Sequence, residues 1–226
     1  MKMTKFADIK GFVFDLDGVI TDTAQFHTKA WSKLADQLGV QWSTELQNGL
    51  KGLSRMDSLE LILKTGNKEN DYSQAEKEKL ATQKNNLYLQ FVQTITPADI
   101  FPGIKEFLDE LNQHGYLMSI ASASKNAPTV LDKLELTDYF EHVVDPKTLK
   151  RGKPDPEIFI KAAEIIGLKP EQCIGLEDAT AGIAGINAAN EVSLGVGSPD
   201  VLTEADMVFE DTNKITLANI EANMNK

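Results

Sequence analysis

The amino-acid sequence predicts an α/β protein, with a doubly wound, Rossmann-like core of parallel strands and an inserted all-helical cap domain. Short apolar runs alternate with segments of helical periodicity, which is the order of strands and helices in a parallel sheet covered on both faces. The stretch from Asp22 to Ile95 breaks this alternation, because it contains helical patterns and no convincing strand. We therefore expect a core of residues 1–21 and 96–226 and a cap of residues 22–95.

Short apolar segments are the candidate strands of the core. They are Gly11–Leu16, Leu117–Ser122, Cys173–Leu176, Val192–Val196 and Met207–Phe209, with Val143–Val144 as a weaker candidate. Runs of this length, bounded by polar or turn-forming residues, are typical of strands buried in a parallel sheet.

Other segments have apolar residues at the spacing of one helix face. In the core they are Ile104–Gln113, Pro156–Ile166 and Ala181–Ala189, and in the cap they are His27–Leu38, Arg55–Lys64 and Gln74–Val92. Gly115 and Gly167 are natural helix stops, and Thr94–Asp99 with its Pro97 is the return linker. Linkers near residues 22 and 95 are expected to act together as a hinge.

Composition excludes several classes of function. The chain has 226 residues and a formal net charge of -11, and it has no basic stripe that could neutralise a nucleic-acid backbone. Its one cysteine, Cys173, cannot form an internal disulfide and fits a reducing compartment. No apolar run approaches the roughly 20 residues of a membrane helix. We expect a cytoplasmic, monomeric protein without nucleic-acid or membrane partners.

Polar groups follow several of the candidate strands. They are Asp15 with Asp17, the Ser122–Asn126 segment, Lys153 before a proline, and Glu177 with Asp178. Each group alone could be a helix cap or a solvated loop. Because the carboxyl ends of parallel strands meet at one edge of a sheet, together they predict a functional site there.

The residue types at this edge suit phosphoryl transfer. Asp15, Asp178 and Glu177 offer the hard oxygen ligands that Mg²⁺ prefers. Mg²⁺ and Lys153 can offset the repulsion between an attacking carboxylate and a phosphate. Ser122 and nearby backbone N–H groups can hold phosphoryl oxygens, and positioning with electrostatics is most of what such a reaction requires. The aspartate two residues after the first could give and take a proton.

Four motifs, in order along the chain, resemble those of the haloacid dehalogenase-like superfamily. They are Asp15-Leu-Asp17-Gly, Ser122, Lys153-Pro and Glu177-Asp178, and Ala179 stands where many members have Ser. Within that superfamily the chain resembles the beta-phosphoglucomutase family. The segments that carry this second resemblance are Thr21–His27, Trp31, Leu50–Ser58 and Ser122–Asn126.

The resemblance implies a Mg²⁺-dependent enzyme that interconverts beta-glucose 1-phosphate and glucose 6-phosphate through beta-glucose 1,6-bisphosphate. Asp15 would be the nucleophile that becomes an aspartyl phosphate, and Asp17 the general acid/base. The metal ligands it implies are Asp15, Asp17 through its backbone carbonyl, Glu177 and Asp178. The residues that would hold the transferred phosphoryl group are Ser122, Ala123 and Lys153.

The same resemblance implies a second set of binding residues. Those for the distal, non-reacting phosphate are Arg55, Ser124, Lys125 and Asn126. Those that would face the sugar or form cap contacts are Thr23, His27, Trp31, Lys51, Gly52, Leu53, Ser58 and Lys84.

Simpler interpretations of some of these residues stay open at this point. His27 could be a half-buried packing residue, Trp31 a core aromatic, and Lys84 part of a solvated Lys/Asn-rich face. For the whole chain, the alternative enzyme is a sugar-phosphate phosphatase of the same superfamily. A mutase needs two phosphate sites and a lid that excludes water, and the sequence offers candidates for each. A phospho-accepting signalling module would also use an aspartate with Mg²⁺, but it needs neither Asp17 nor an inserted lid.

Overall fold

A computed structural model describes residues 4–50 and 53–225, and the chain divides into two compact units. The sheet unit comprises Met1–Asp22 with Thr96–Lys226, and the helical unit comprises Thr23–Ile95. Asp22 thus belongs to the sheet unit, one residue beyond the boundary expected from the sequence.

The sheet unit is built on a five-stranded parallel sheet in the order β2-β1-β3-β4-β5. Its strands are β1 (Gly11–Phe14), β2 (Leu117–Ile120), β3 (Cys173–Glu177), β4 (Val192–Val196) and β5 (Met207–Phe209). Phe14 pairs with Ile120 on one side and with Leu176 on the other. The carboxyl ends of β2, β1 and β3 therefore lie side by side, and the predicted fold class is confirmed.

The first two strands end two residues earlier than predicted, because the chain turns there. The carbonyl of Leu16 accepts the N–H of Ile20 at 3.0 Å, and the Ser122 hydroxyl accepts the N–H of Ser124 at 3.1 Å. The weaker candidate at Val143–Val144 is not a strand, since Val143 forms an isolated bridge to Ile120.

The helical unit contains α1 (Ala24–Gln37), α2 (Thr44–Gly49), α3 (Arg55–Thr65) and α4 (Gln74–Val92). Its hydrophobic core includes Trp31, Leu34, Leu59 and Ile62. Local capping explains why two of these helices begin where the sequence predicts. The Ser54 hydroxyl accepts the N–H of Asp57 at α3, and Ser73 forms a reciprocal capping box with Glu76 at α4.

The helices of the sheet unit are α5 (Ile104–Gln113), α6 (Ala127–Lys133), α7 (Glu157–Ile165), α8 (Thr180–Ala189) and α9 (Leu217–Met224). Ile104, Phe107, Leu108 and Leu111 form the buried face of α5, at the spacing seen in the sequence. Among the described residues, the structure contains no helix with the length and apolarity needed to cross a membrane.

The two segments that connect the units run side by side within the sheet unit. Thr21 and Ile100 form an antiparallel bridge, and the Thr21 hydroxyl donates to the carbonyl of Asp99 at 2.7 Å. The N–H of Phe101 donates to the carbonyl of Ile20 at 2.8 Å. These bonds hold both linkers together at one place, whereas the hinge motion expected there stays a prediction.

Candidate active site

Asp15 lies at the carboxyl edge of the sheet, directly after β1. Its N–H donates to the carbonyl of Leu176 at 2.9 Å, so the backbone of Asp15 is fixed against the end of β3. On the other side, the N–H of Ala121 donates to the carbonyl of Phe14 at 2.8 Å. The residues that follow β2, β1 and β3 are therefore neighbours, although they are far apart in the sequence.

Lys153 joins two buried carboxylates at this edge. Its Nζ lies 2.6 Å from Asp15 Oδ1 and 2.6 Å from Glu177 Oε2, and it lies 5.0 Å from the centre of the Phe159 ring. Burial lowers the pKa of Lys153, but the two carboxylates outweigh this effect and raise the pKa above its ordinary value. The ammonium group therefore stays charged. The Lys153–Pro154 peptide bond, which the sequence left open, is cis.

The carboxyl group of Asp15 is buried, and this burial dominates its ionisation. Burial raises the pKa of Asp15 to about 6, with Lys153 acting in the opposite direction and Glu177 adding to the rise. The pKa of Glu177 is also raised, chiefly by burial, although Lys153 lowers it. These two carboxylates are therefore not fully compensated by the single lysine, and a further positive charge would favour their ionised forms.

Asp15, Glu177 and Asp178 form a cluster that could hold a metal ion. One ligand oxygen from each lies within 4.8 Å of the others. Together with Lys153, three carboxylates and one ammonium carry a formal charge of −2. Oxygen donors with this charge suit a hard divalent cation such as Mg²⁺. The side chain of Asp17 lies two residues after Asp15, and its Oδ1 atom is buried.

Two glycines allow this cluster to form: Gly18, the last residue of the Asp15-Leu-Asp17-Gly motif, and Gly182, which sequence reasoning missed. Gly18 has a φ of +86°, and a Cβ at this position would overlap the carboxylate of Asp178. A Cβ at Gly182, in the first turn of α8, would overlap the carboxyl group of Glu177. Both acidic side chains thus approach backbone closely enough that only a residue without a side chain fits.

The Ser122–Asn126 segment forms a tight polar loop between β2 and α6. Ser122 is buried, and its hydroxyl accepts the N–H of Ser124, whose own hydroxyl accepts the N–H of Asn126 at 3.3 Å. Ala123 is half-buried, Lys125 is exposed, and Asn126 is buried. This loop therefore carries hydroxyl, amide and ammonium groups next to the strand end that bears Asp15.

A second polar cluster lies within the helical unit, around Lys84. Lys84 is 2% exposed, so it is not part of a solvated face. Its Nζ lies 2.7 Å from His27 Nδ1, 4.5 Å from the centre of the Trp31 ring and 5.2 Å from that of Tyr88. Because an ammonium group can only donate, His27 Nδ1 accepts and the ring proton lies on Nε2. Burial, followed by the charges of Lys84 and Arg55, holds the pKa of His27 well below its usual range.

Tyr88 is a member of this cluster that sequence reasoning missed. Its ring centre lies 4.0 Å from that of His27, and the residue is fully buried. The available signal was its position four residues after Lys84 on one helix, which places both side chains on the same face. Trp31 packs in the hydrophobic core of the helical unit, so the interpretation of this residue as a core aromatic is confirmed. Its contact with a ligand stays a prediction.

The remaining predicted cap residues are placed as follows. Arg55 is half-buried at the start of α3, and its Nη2 donates to Asn85 Oδ1 at 2.7 Å. Thr23 is fully buried, and its hydroxyl has no hydrogen-bond partner in the described part of the chain. Ser58 is buried and Leu53 is half-buried. Lys51 and Gly52 lie outside the described residues.

Comparisons with known proteins agree with this arrangement. Residues 9–190 match the haloacid dehalogenase-like hydrolase family. A Bacillus subtilis (strain 168) protein named beta-phosphoglucomutase is 42% identical over 209 residues, which cover 92% of each chain. A beta-phosphoglucomutase structure from Clostridium difficile has a TM-score of 0.94 at 44% identity and covers 96% of this chain and 97% of that one. Hexitol phosphatase A from Escherichia coli (strain K12) is 30% identical over 92% of this chain and 94% of its own length.

Proposed function

Because this chain belongs to the haloacid dehalogenase-like hydrolase family, we propose that it is an intramolecular phosphotransferase acting on a sugar phosphate. The reaction is the interconversion of beta-D-glucose 1-phosphate and glucose 6-phosphate through beta-glucose 1,6-bisphosphate. The observation that carries the proposal is the buried Asp15 carboxylate, held 2.6 Å from Lys153 within a cluster of acidic groups. The similarity to beta-phosphoglucomutases over nearly the whole chain supports this substrate class.

In the proposed reaction Asp15 carries the phosphoryl group between two sugar oxygens. The phosphorylated enzyme gives its phosphoryl group to the 6-hydroxyl of glucose 1-phosphate, so an O6–P bond forms, the Asp15–P bond breaks, and Asp17 takes the hydroxyl proton. The bisphosphate then presents its other end. Asp15 attacks the phosphorus at position 1, the O1–P bond breaks, and Asp17 returns its proton to O1, which leaves glucose 6-phosphate and the phosphorylated enzyme.

The acidic cluster is proposed to hold Mg²⁺ through Asp15, Glu177, Asp178 and the backbone carbonyl of Asp17. Bound there, the cation would neutralise charge shared between the carboxylates and the phosphoryl oxygens. Lys153 contributes the second positive charge, and its contact with Glu177 keeps it directed at Asp15.

The binding residues divide between the two phosphates and the sugar. We propose that Ser122, Ala123 and Lys153 hold the phosphoryl group that moves. The residues proposed for the phosphate that stays on the sugar are Arg55, Ser124, Lys125 and Asn126. Those proposed for sugar and cap contacts are Thr23, His27, Trp31, Lys51, Gly52, Leu53, Ser58 and Lys84. The ring proton on Nε2 makes His27 a hydrogen-bond donor on the side of the ring that does not face Lys84.

A mutase differs from a phosphatase in what accepts the phosphoryl group from Asp15. Arg55 favours the mutase, because a guanidinium group suits a second phosphate that a simple hydrolase does not need to hold. The helical unit, in the role of a lid, would exclude the competing water. The similarity to a hexitol phosphatase keeps hydrolysis as the function to be tested against.

The test supplies beta-glucose 1-phosphate, Mg²⁺ and a trace of glucose 1,6-bisphosphate, and measures glucose 6-phosphate and inorganic phosphate in the same sample. We expect glucose 6-phosphate to exceed free phosphate by a wide margin. Alpha-glucose 1-phosphate, assayed in parallel, reports the anomeric preference. Release of mainly inorganic phosphate would replace the mutase with the phosphatase.

The proposal extends to a cytoplasmic monomer that needs no macromolecular partner. It rests on the single cysteine and on the acidic composition of the chain. Light scattering on the purified enzyme, with and without substrate, checks the oligomeric state, and a stable dimer would contradict it.

A further inference from the structure

Asn85 contacts the guanidinium group of Arg55, and nothing in the sequence pattern singled it out. The contact joins Arg55 Nη2 to Asn85 Oδ1 at 2.7 Å and connects the first turn of α3 to the middle of α4. Thirty positions separate the two residues, so the bond depends on the folding of the helical unit. This tertiary contact therefore restrains the long side chain of Arg55, which would otherwise be flexible.

The partner of Arg55 is neutral. Among the described residues, no carboxylate lies within ion-pair distance of its guanidinium group. By contrast, Lys77, Lys105 and Lys161 each have one carboxylate partner, and Lys153 has two. An amide oxygen accepts one of the five N–H groups of an arginine and leaves its charge uncompensated. The remaining donors can still bind a phosphate, which a carboxylate partner would oppose.

The same stretch of α4 also directs Lys84. Lys84 and Asn85 are adjacent, and they hold His27 and Arg55, respectively. The charge of Arg55 helps to lower the pKa of His27, so the two side chains lie close enough in the helical unit to interact electrostatically. This turn of α4 thus supplies one cation, Lys84, which donates to neutral His27, and one neutral acceptor, Asn85, which holds the cation of Arg55.

We propose that Asn85 is a positioning residue, which fixes the Arg55 guanidinium for a second phosphate without reducing its charge. The inference rests on the proposed function, because it assigns to the bisphosphate the group that Arg55 would bind. It predicts that Asn85 acts through Arg55 and contributes nothing when Arg55 is absent.

A binding experiment tests this independently of turnover. Titration calorimetry measures the affinity of glucose 1,6-bisphosphate, with Mg²⁺, for protein carrying Asp15→Asn, which cannot accept the phosphoryl group. Asn85→Ala, Arg55→Ala and the combination are added to this background. Asn86→Ala is the matched control, because Asn86 is the exposed neighbour on the same helix.

We expect Asn85→Ala to weaken binding about tenfold, as the loss of one charge-assisted hydrogen bond would. Arg55→Ala should weaken it more, the combination should equal Arg55→Ala alone, and Asn86→Ala should change nothing. Asn85→Asp should bind more weakly than Asn85→Ala, because the new carboxylate pairs with Arg55. Additive losses in the combined variant, or an unchanged affinity for Asn85→Ala, would overturn the inference, as would a background protein that binds no bisphosphate.

A second measurement separates positioning from a structural role. In this measurement Asn85→Ala is compared with the wild type, both with Asp15 intact. Hydrolysis of acetyl phosphate then reports the transfer site, because this substrate has no second phosphate. A positioning role leaves this rate and the unfolding temperature near those of the wild type, whereas a structural role lowers both. If the wild type makes no glucose 6-phosphate and the binding cycle still holds, the proposed function fails and the role of Asn85 stands.

Discussion

Glu191 is a buried acidic residue that the proposed reaction does not use. It directly precedes β4 and is 4% exposed, and neither carboxyl oxygen has a hydrogen-bond partner in the described residues. A methyl group on Gly175 of β3 would lie 2.7 Å from Glu191 Oε2, so the side chain occupies the space that this glycine leaves. The titratable group that interacts with it is the Cys173 thiol, whose pKa is raised by burial and then by Glu191.

This burial makes the stability of the sheet unit depend on pH. Removal from water raises the pKa of Glu191 well above its ordinary value of 4.5. Above that value the unfolded chain releases a proton that the folded chain keeps. Stability due to this group is therefore fully present below the unfolded pKa and is lost as the pH rises towards the folded pKa. The steepest loss is about 1.4 kcal/mol per pH unit for one proton.

Glu191→Gln keeps the shape of the side chain and removes the titration. The buried amide gives a constant penalty of about 1–3 kcal/mol, because its polar atoms also lack partners. We expect the difference in unfolding free energy, variant minus wild type, to increase with pH above about 4.5, with a slope of up to 1.4 kcal/mol per unit. The slope carries the prediction, since the constant offset does not depend on pH.

Denaturant unfolding at a series of pH values measures this difference. Trp31 and Trp42 both belong to the helical unit, so the sheet unit is better followed by circular dichroism than by tryptophan fluorescence. Glu171→Gln, an exposed glutamate just before β3, is the control and should give a curve parallel to that of the wild type. Parallel curves for Glu191→Gln as well would mean that Glu191 is charged and compensated in the folded protein, which would refute the reasoning.

Further predictions concern the active site. Asp17→Asn should slow turnover of glucose 1-phosphate by about 10²–10⁴-fold, while Asp15 is still phosphorylated by acetyl phosphate; an equal loss of both would contradict a role in proton transfer. Lys153→Met should lower the free energy of unfolding by about 3–5 kcal/mol, because two buried carboxylates lose their cation, and an unchanged midpoint in urea would argue against the ion pairs. Gly182→Ala should raise the Mg²⁺ concentration for half-maximal activity by displacing Glu177; since alanine favours a helix, an unchanged requirement would show that α8 simply shifts.

The strands and the active-site edge could be predicted because their signals are local. An apolar run that ends in an aspartate marks both the strand and the residue that follows it, as at Phe14 and Asp15. The rule that parallel strands share one carboxyl edge led us to expect Lys153 near Asp15, 138 positions away. The candidate strand before Lys153, at Val143–Val144, is only an isolated bridge, so this lysine reaches the edge from a loop. The cis bond at Lys153–Pro154 had no such signal, because either isomer fits the sequence.

Other features depend on contacts that no local pattern encodes. Lys84 could be assigned to a solvated face, since its neighbours are polar, and it is buried because His27, 57 positions away, lies against it. The helices α2, α6 and α9 were not predicted, because each is short and buries few residues. α2 buries Leu46 alone, and α9 buries Leu217 and Ile220, which is too little to establish a period.

In a chain with a net charge of -11, the two cations Lys153 and Arg55 differ in the charge of the groups beside them. Lys153 is shared by two carboxylates, and with Asp178 its cluster keeps a formal charge of −2, which a divalent cation brings to zero. In the proposed reaction, a phosphate attacked by Asp15 would therefore meet a set of groups whose charges the bound cation balances. Arg55 instead has the neutral amide of Asn85 and keeps its whole charge, which suits a phosphate that is held and not attacked. If Lys153 and Arg55 bind the two phosphates as proposed, the acceptor beside each cation, carboxylate or amide, would distinguish the reacting phosphate from the retained one. For this reason an aspartate at position 85 should be worse than an alanine.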